Sequence, residues 1–307
     1  MNRTRKIVTT AVSLFIVLAL ALVGVAEHFG WVDVFFLFGN PATRKVDIES
    51  VGEVHFINCG QGDSVLIVSG GESVLIDAGP KKHGNDVVNY LRKNRIRKLD
   101  YIVFSHFDED HIGGSLKILE NFPVGNIFLK TPEEEPTTDI YIKMKTEIKN
   151  KKIEKTETNA GDTFKCGEFD FEFIGPTKKF ADTNNNSLVV RAKIGEISYL
   201  LTGDMEADGE KSLLEGNVDI RASVLKVGHH GSKDSSKADF LQKVNAEYAV
   251  ISSEKGNSYG HPNNKTIRRL VDALGSTDKI YRTDINGNIV FYNDGKNIEV
   301  VLEKERK

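Results

Sequence analysis

The residues best suited to chemistry lie in one short stretch, His106-Phe107-Asp108-Glu109-Asp110-His111. Two histidines and two aspartates within six residues follow directly on the apolar run Tyr101–Ser105. Imidazole and carboxylate at this density suit a divalent transition metal, and a loop at the end of a strand is a place where such ligands can converge. The pair Gly113-Gly114 is expected to let the backbone pass close to the ions. We therefore predict a metal site here.

A second group of potential ligands lies later in the chain. Asp204 follows the apolar run Leu200-Leu201, and His229, His230 and His261 lie in glycine-containing turns. The two oxygens of one carboxylate can bridge two cations about 3.5–4 Å apart, as two-metal hydrolases require. The order of these groups along the chain predicts a hydrolytic site with two metal ions.

The elements that must position these residues are short apolar strands and amphipathic helices. Strands are predicted at 54–58, 64–68, 74–76, 101–105, 126–129, 169–174, 187–194, 197–201, 222–227, 248–252, 279–281, 288–292 and 298–302. Helices are predicted at 85–94, after Gly114, and at 206–214, 239–245 and 266–273. In both halves strands come first and then alternate with helices. This α/β order fits two sheets packed face to face with helices outside them, an αββα sandwich, and is also compatible with a doubly wound sheet.

Together, the patterns His-x-Asp-x-Asp-His, Thr-Gly-Asp and a late histidine resemble the metallo-β-lactamase fold superfamily. Further motifs resemble the hydrolase domain of the ComEC-type competence DNA-uptake channels, and phosphorylcholine esterases of teichoic acid are similar in the same motifs. These motifs are Phe56–Ser64, Leu75–Gly79, Asn184–Leu188 and Gly228–Ser232. The resemblance covers roughly residues 52–302 and implies the metallo-β-lactamase αββα sandwich.

The resemblance also implies a set of ligands for two divalent ions. The implied ligands are His106 and Asp108 for one ion, Asp110 and His111 for the other, Asp204 as the bridge, and His229 or His230 to complete the set. A metal-bridging hydroxide, oriented by Asp110, would be the nucleophile.

Three further residues receive supporting roles. A protonated His261 would stabilise developing charge or protonate the leaving group, unless it is simply a turn histidine before Pro262. Asp77 and Asn186 would orient ligands through hydrogen bonds, although Asp77 is equally suited to capping its own Asp-Ala-Gly turn.

The sequence departs from the superfamily pattern in its nitrogen ligands. Asp108 stands where most members have a second histidine, and no histidine occurs between His111 and His229. A site richer in oxygen shifts preference from zinc toward manganese without excluding zinc. The same departure counts against a β-lactamase activity. Because the sequence has at most one membrane-spanning segment, we also expect a hydrolase and not a DNA channel.

The first residues of the chain differ from the rest. Arg3, Arg5 and Lys6 precede the uncharged apolar run Ile7–Ala26, which is long enough to span a bilayer. We expect residues 1–26 to be a signal anchor or, if the chain is cleaved near Gly24-Val25-Ala26, a signal peptide. Residues 27–51 are then a linker, and 52–307 form the hydrolase domain. The basic flank predicts a single-pass protein of the cytoplasmic membrane with an extracytoplasmic domain, or a secreted one after cleavage.

Net charge limits the possible partners. The chain carries −3, and without the three positive charges of residues 1–26 it carries −6, which argues against a global basic field for nucleic acid. The lysines between 143 and 155 alternate with acids and indicate a solvated helix face.

Several functions are consistent with these observations. The expected function is an extracytoplasmic phosphodiesterase or nuclease with Zn²⁺ or Mn²⁺, acting on DNA or on a cell-envelope polymer. Alternatives are a teichoic-acid phosphorylcholine esterase, a thioester or lactone hydrolase, and an inactive membrane-tethered binding module. No obligate protein partner is inferred.

Overall fold

Alternation of apolar and charged residues builds the centre of the molecule. In the segment Phe169–Gly175, the side chains of Phe169, Phe171 and Phe173 are buried, whereas the intervening Asp170 is exposed. Successive side chains of a strand point to opposite faces, so this segment presents one apolar face to a partner layer. That face packs in a cluster with Phe56, Tyr199, Phe291 and other apolar residues from both sheets.

The computed structural model describes residues 48–132 and 134–305, which fall within one unit, Val46–Lys307. Fifteen strands are found in these residues. They are β1 (Gly52–Phe56), β2 (Val65–Ser69), β3 (Glu72–Ile76), β4 (Leu99–Val103), β5 (Val124–Leu129), β6 (Glu154–Glu157), β7 (Thr163–Cys166), β8 (Phe169–Gly175), β9 (Val189–Ile194), β10 (Ile197–Leu201), β11 (Val224–Lys226), β12 (Tyr248–Ile251), β13 (Ile280–Arg282), β14 (Ile289–Asn293) and β15 (Ile298–Leu302).

The strands form two sheets, each partly antiparallel and partly parallel. The first sheet has eight strands in the order β15-β14-β1-β2-β3-β4-β5-β6, and the second has seven in the order β13-β12-β11-β10-β9-β8-β7. In the first sheet the pairs from β3 to β6 are parallel, and in the second the pairs from β10 to β13 are parallel. The remaining pairs are antiparallel.

Eight α-helices lie among the described residues. They are α1 (Gly84–Lys93), α2 (Glu109–Ile112), α3 (Ser115–Asn121), α4 (Asp139–Asn150), α5 (Ala207–Glu215), α6 (Ala238–Val244), α7 (Asn264–Leu274) and α8 (Thr283–Asn286). Helix α1 buries Val87, Val88 and Leu91, which recur on one helical face, against the first sheet. Helix α7 begins where the Asn263 side chain accepts a hydrogen bond from Lys265 N, and it ends at Gly275.

Three separate apolar clusters confirm the predicted αββα sandwich. One lies between the two sheets, a second lies between the first sheet and α1, α3 and α4, and a third lies between the second sheet and α5, α6 and α7. Each sheet is therefore covered on both faces, which is why several strands read as continuous apolar runs and not as strict alternation. The alternative of a single doubly wound sheet is wrong.

Some elements differ from the sequence-based prediction. Strand β6 was not predicted, because it is a charged edge strand with exposed Glu154, Lys155 and Glu157 and so carries no apolar pattern. The lysine-rich segment does form a helix, α4, whose exposed face carries Lys143, Lys145 and Lys149. The ligand motif itself contributes one helical turn, α2.

The predicted apolar N-terminal segment, residues 1–26, lies outside the described residues, as does most of the predicted linker. Within residues 48–132 and 134–305, none of the helices combines the length and the apolar character needed to cross a membrane.

Candidate metal centre

The candidate site lies where parallel strands of both sheets end. Asp77 follows β3 and His106 follows β4 in the first sheet, whereas Asp204 follows β10 and the pair His229-His230 follows β11 in the second. The carboxyl ends of parallel strands meet at one edge of a sheet, and this edge is where α/β proteins commonly bind ligands. Two sheets packed face to face bring both edges together, so residues far apart in sequence share one site.

Four side chains form the tightest group of potential ligands. Each of Asp110, His111, Asp204 and His230 offers one ligand atom, and these atoms all lie within 4.8 Å of one another. His111 Nε2 lies 3.2 Å from Asp204 Oδ1, and His230 Nε2 lies 3.1 Å from Asp110 Oδ2. Asp204 also lies 3.4 Å from His230 Nε2 through its other oxygen, Oδ2. Asp204 thus presents one oxygen to each side of the group, as a bridging ligand must.

The remaining predicted ligands surround this group. The His106 ring packs against the His111 ring with centroids 4.1 Å apart, and His106 Nε2 lies 3.7 Å from Asp108 Oδ2. His229 Nε2 lies 3.7 Å from Asp204 Oδ2. The structure therefore brings all seven predicted ligands into one cluster, with His106 and Asp108 on one side.

Each histidine turns the same nitrogen toward the cluster. His111 Nδ1 donates to Asp77 Oδ2 at 2.8 Å, His230 Nδ1 donates to the Ser252 carbonyl at 3.0 Å, and His229 Nδ1 donates to Glu206 Oε1 at 2.7 Å. A hydrogen bond at Nδ1 fixes the orientation and the tautomer of the ring and leaves Nε2 available as a ligand.

Buried atoms without partners indicate what the cluster is built to hold. His106 Nε2, His111 Nε2 and Asp204 Oδ1 are buried and have no hydrogen-bond partner among the described residues. His111 Nε2 and Asp204 Oδ1 are close in space but lack hydrogen-bond geometry. Buried polar atoms are nearly always satisfied, and leaving one unsatisfied costs about 1–3 kcal/mol. These imidazole and carboxylate atoms therefore fit divalent metal ions.

The charge distribution supports the same conclusion. Burial lowers the pKa of His111, but the carboxylates of Asp204 and Asp77 outweigh burial and raise that pKa well above its usual value. Burial likewise lowers the pKa of His230, but the carboxylates of Asp204 and Asp63 outweigh burial and raise that pKa well above its usual value. Burial raises the pKa of Asp204, yet the neighbouring imidazoles hold that pKa well below its usual value. The cluster therefore has an excess of negative charge and attracts cations.

Asp77 supports two parts of the cluster at once. Its Oδ1 accepts a hydrogen bond from Ser105 N at 2.8 Å, and its Oδ2 accepts from Ser105 Oγ at 2.6 Å as well as from His111 Nδ1. The carboxylate therefore joins the end of β3 to the end of β4 and orients His111. The structure thus gives Asp77 the orienting role that was one of its two predicted alternatives.

Asn186 has a different role from the predicted one. Its side chain accepts from Phe180 N at 3.1 Å and donates to the carbonyls of Phe180 and Asp182, so that it closes its own loop. The neighbouring Asn185 Oδ1 accepts from Glu206 N and Gly209 N and fixes the turn after Asp204. Ser187 Oγ accepts from Asp204 N at 3.1 Å. The supporting residues of the Asn-Asn-Asn-Ser run are therefore Asn185 and Ser187.

The glycine pair after the ligand motif packs closely against the loop after β3. A Cβ at Gly114 would lie 2.1 Å from the Ala78 carbonyl oxygen, and Gly114 N donates to Gly79 O at 2.8 Å. The pair allows the backbone of the ligand loop to pack on the loop after β3. The expectation that the pair also lets the backbone pass close to the ions stays a prediction.

A buried lysine lies beneath the site and was not predicted. Lys226 is 1% exposed, forms an ion pair with Asp63, and donates to Gly203 O at 3.1 Å. Its ammonium lies 4.0 Å from Asp204 Oδ1. Burial lowers the pKa of Lys226, but the carboxylates of Asp63 and Asp204 raise it above its usual value, so the side chain is charged. A lysine inside an apolar strand is the only sequence signal for this role.

The two histidines after β11 are distinguished by their surroundings. His229 and His230 both have left-handed backbones, with φ of 44° and 52°, a conformation that costs about 1–3 kcal/mol per residue and is concentrated at functional sites. His230 is fully buried beside Asp110, whereas His229 is a quarter exposed and faces Glu206. His230 therefore belongs to the tightest ligand group and His229 to its periphery.

His261 lies at the rim and does not reach the tightest group. Its ring centroid is 5.2 Å from that of His229 and 6.4 Å from that of His230. Burial and the two neighbouring histidines lower the pKa of His261 to about 4. A lowered pKa favours the neutral imidazole, and the predicted role of His261 toward the leaving group stays a prediction.

Comparison with known proteins identifies the family. The metallo-beta-lactamase superfamily profile matches residues 57–253, and the chain belongs to this superfamily. Among curated proteins, the chain is 32% identical over 281 residues to ComE operon protein 3 of Bacillus subtilis, covering 84% of this chain and 34% of that protein. It is 34% identical over 248 residues to competence protein ComA of Neisseria gonorrhoeae, covering 79% and 32%. The chain thus spans about a third of these relatives, and the resemblance to ComEC-type proteins is confirmed.

Solved structures support the fold alone. The metallo-beta-lactamase fold protein YhfI from Bacillus subtilis aligns with a TM-score of 0.56 at 14% identity, covering 80% of this chain and 100% of that one. CmlA, a diiron beta-hydroxylase from Streptomyces venezuelae, aligns with a TM-score of 0.53 at 12% identity, covering 87% and 59%. These two proteins share the αββα sandwich with the chain, but sequence identities of 14% and 12% carry no information on the substrate.

The bridging position of Asp204 gives a test of the metal site. We expect Asp204→Ala to lose both ions, because each ion would share this ligand, while Asp208→Ala, an exposed carboxylate four residues later, retains two. Elemental analysis after loading with Mn²⁺ or Zn²⁺ and desalting measures the metal content per chain. Two ions per chain in Asp204→Ala would contradict the bridging role.

Lys226 gives a test of the internal charge balance. Removing one partner of a buried ion pair typically costs about 3–5 kcal/mol, so Lys226→Met should lower the free energy of unfolding by that amount. The double variant with Asp63→Asn should recover part of the loss, since it leaves no unpaired charge. Urea unfolding with the exposed Lys193→Met on β9 as control measures the difference. Equal stability of Lys226→Met and Lys193→Met would rule out the ion pair as a stabilising contact.

Proposed function

We propose that the chain is a dinuclear metal-dependent phosphodiesterase that cleaves nucleic acid outside the cytoplasmic membrane. The observation that carries this proposal is the set of buried, unpartnered ligand atoms His106 Nε2, His111 Nε2 and Asp204 Oδ1. The residues that would hold two ions are those seven that the structure gathers. Two divalent cations held by these residues would supply a nucleophile, by lowering the pKa of a water molecule, and would polarise a phosphoryl oxygen.

The oxygen-rich ligands favour a phosphodiester over a carbonyl substrate. Asp108, Asp110 and Asp204 provide carboxylates, which suit hard cations such as Mn²⁺ that also bind phosphate oxygens. One relative is named competence protein ComA, and another, from Haemophilus influenzae, is named recombination protein 2. These names concern DNA handling in those proteins, and they support nucleic acid as the substrate proposed for this chain.

Asp110 and His261 are the residues proposed to act on the attacking water and on the leaving group. Asp110 is 31% exposed, lies 3.1 Å from His230 Nε2 through Oδ2, and lines a cavity of about 680 Å³. It therefore faces both the ligand group and the space open to substrate, a position from which its carboxylate can orient a water and accept its proton. His261, at the rim, is placed to donate a hydrogen bond to the leaving oxygen as a neutral imidazole. The intact ligand set counts against an inactive binding module.

The purified full-length chain tests this proposal directly. With Mn²⁺ or Zn²⁺ it should hydrolyse single-stranded DNA and bis-p-nitrophenyl phosphate, and Asp204→Ala should be inactive on both. p-Nitrophenyl phosphorylcholine tests the esterase alternative. Hydrolysis of the phosphorylcholine ester alone, or no hydrolysis by a protein that holds two ions, would reject the nuclease proposal.

The variant His261→Ala tests whether His261 is a metal ligand or a residue that acts on the substrate. We expect this variant to retain both ions and to lose about 10²–10³-fold in turnover, because a lost charge-stabilising donor lowers the rate without weakening metal binding. Metal content and kcat are measured on the same sample. A greater loss for a poor leaving group than for p-nitrophenolate would assign proton donation to His261. Loss of an ion would make it a ligand.

The location of the domain is part of the proposal. The basic residues Arg3, Arg5 and Lys6 all precede the apolar run, so the domain should lie outside the cytoplasmic membrane. Protease added to intact, wall-stripped cells should digest it. Survival of the domain until the cells are lysed would place it inside.

A further inference from the structure

A cavity of about 680 Å³ opens beside the metal centre and is shaped by two loops. Asp110 connects the cavity to the ligand group. One wall includes Pro80, Lys81 and Lys82, which follow β3, and another consists of Glu254, Asn257, Ser258 and Tyr259, from the loop after β12. Lys82 Nζ donates to both oxygens of Glu254 at 2.9 Å, so an ion pair connects the two walls. A substrate in this cavity would lie against Asp110, one of the candidate ligands.

Tyr259 presents an aromatic ring to this cavity. It is 71% exposed, more than any other large apolar side chain among the described residues, and it is the aromatic member of the cavity lining. Its ring stacks on that of His261, with centroids 5.9 Å apart and an interplanar angle of 27°. The His261 ring in turn lies 5.2 Å from the ring of His229. The ring of His261 therefore contacts both the ring of Tyr259 and that of the predicted ligand His229.

The loop that carries Tyr259 is held in place by its own hydrogen bonds. Asn257 Oδ1 accepts from Tyr259 N and from His261 N, each at 3.1 Å. Asn257 Nδ2 donates to the carbonyls of Glu254, at 2.8 Å, and of His261, at 2.5 Å. One side chain therefore fixes the backbone on both sides of Tyr259. A ring that is exposed but held in this way loses little conformational entropy when it binds a ligand.

The chemistry of the walls favours stacking over ionic recognition. Lys82 is paired with Glu254, and the lining carries Lys81 and Lys82 alongside Glu109, Asp110 and Glu254, so the cavity holds comparable positive and negative charge. A choline group would need several aromatic faces around the cation, whereas the cavity lining offers one. One exposed ring is sufficient for a nucleobase, since every base has a π-face and stacking tolerates any sequence.

We propose that Tyr259 is a stacking platform for the nucleobase next to the phosphodiester that is cleaved. This inference rests on the proposed nuclease function. It specifies single-stranded nucleic acid as the substrate, because the bases of a duplex are already stacked and paired and cannot lie on a side chain. A nucleotide whose phosphate lies at the metal ligands would extend past His261 and place its base on the exposed face of Tyr259.

Binding measurements test the platform separately from catalysis. Fluorescence anisotropy with the full-length chain compares a single-stranded oligonucleotide with one of the same length that has abasic sites. We expect Tyr259→Ala to weaken binding of the base-containing strand about tenfold and to change binding of the abasic strand much less. Tyr259→Phe should bind like the wild type. Ile142→Ala, which removes an exposed apolar side chain on α4, is the matched control.

Kinetics provide a second test on small substrates. For Tyr259→Ala, KM should increase more for thymidine 5′-p-nitrophenyl phosphate, which has a base, than for bis-p-nitrophenyl phosphate, which has none. Equal effects on both substrates, or on both strands, would overturn the stacking role and leave Tyr259 as a support for His261. A loss confined to p-nitrophenyl phosphorylcholine would assign the ring to a choline site and overturn the proposal.

The two proposals fail in different ways. If the wild type cleaves no phosphodiester but prefers the base-containing strand through Tyr259, the nuclease function fails, and of the platform only the stacking of a nucleobase on Tyr259 remains. If the wild type cleaves DNA and Tyr259→Ala binds both strands like the wild type, the platform fails and the nuclease function remains.

Discussion

Burial of several carboxylates in one place is the constraint on which the rest of the structure depends. Asp63, Asp77 and Asp204 are each at most 3% exposed, and Asp110 lies against them through His230. An isolated buried carboxylate is costly, so the fold must supply cations or hydrogen bonds close by. Lys226 supplies one fixed cation. His111 and His230 supply others only by binding protons, which is why their pKa values are raised. A site held in this way exchanges protons for metal ions when these are available.

The topology explains how so many charges come together without disrupting the core. Both sheets change from antiparallel to parallel pairing, and the parallel strands of both end at the same edge. The cluster between the sheets is formed by apolar and aromatic side chains such as Phe56 and Phe171, and the hydroxyl of the buried Tyr199 accepts a hydrogen bond from Asn293. The same strands therefore form both regions. Their side chains build the apolar core, and the loops at their carboxyl ends carry the polar site. Ligand loops can vary in sequence while the strands that fix their positions do not change.

The candidate metal ligands could be predicted from the sequence better than the residues that support them through hydrogen bonds and ion pairs. Histidine and aspartate at the ends of apolar runs are recognisable because few other roles combine those residue types with that spacing. The order of the elements also allowed a doubly wound sheet, and the motifs decided for the sandwich. Lys226 and Asp63 act through burial, which a sequence pattern does not display. The run Asn184-Asn185-Asn186 shows a further limit. Which amide faces the site depends on a single helical turn, and the structure selects Asn185 to hold the segment after Asp204.

The site divides into a floor, which carries the candidate metal ligands, and a rim, which faces the cavity, and the two are built differently. The floor is formed by buried ligands fixed through Nδ1 hydrogen bonds and through Asp77, so that almost any substitution there disturbs charge as well as geometry. The rim belongs to the loop after β12, where Asn257 bonds only to its own loop. Substitutions at Tyr259 or His261 therefore leave the charged cluster intact. Proteins with such a floor could differ in substrate through the rim alone, because function resides in the site and not in the fold.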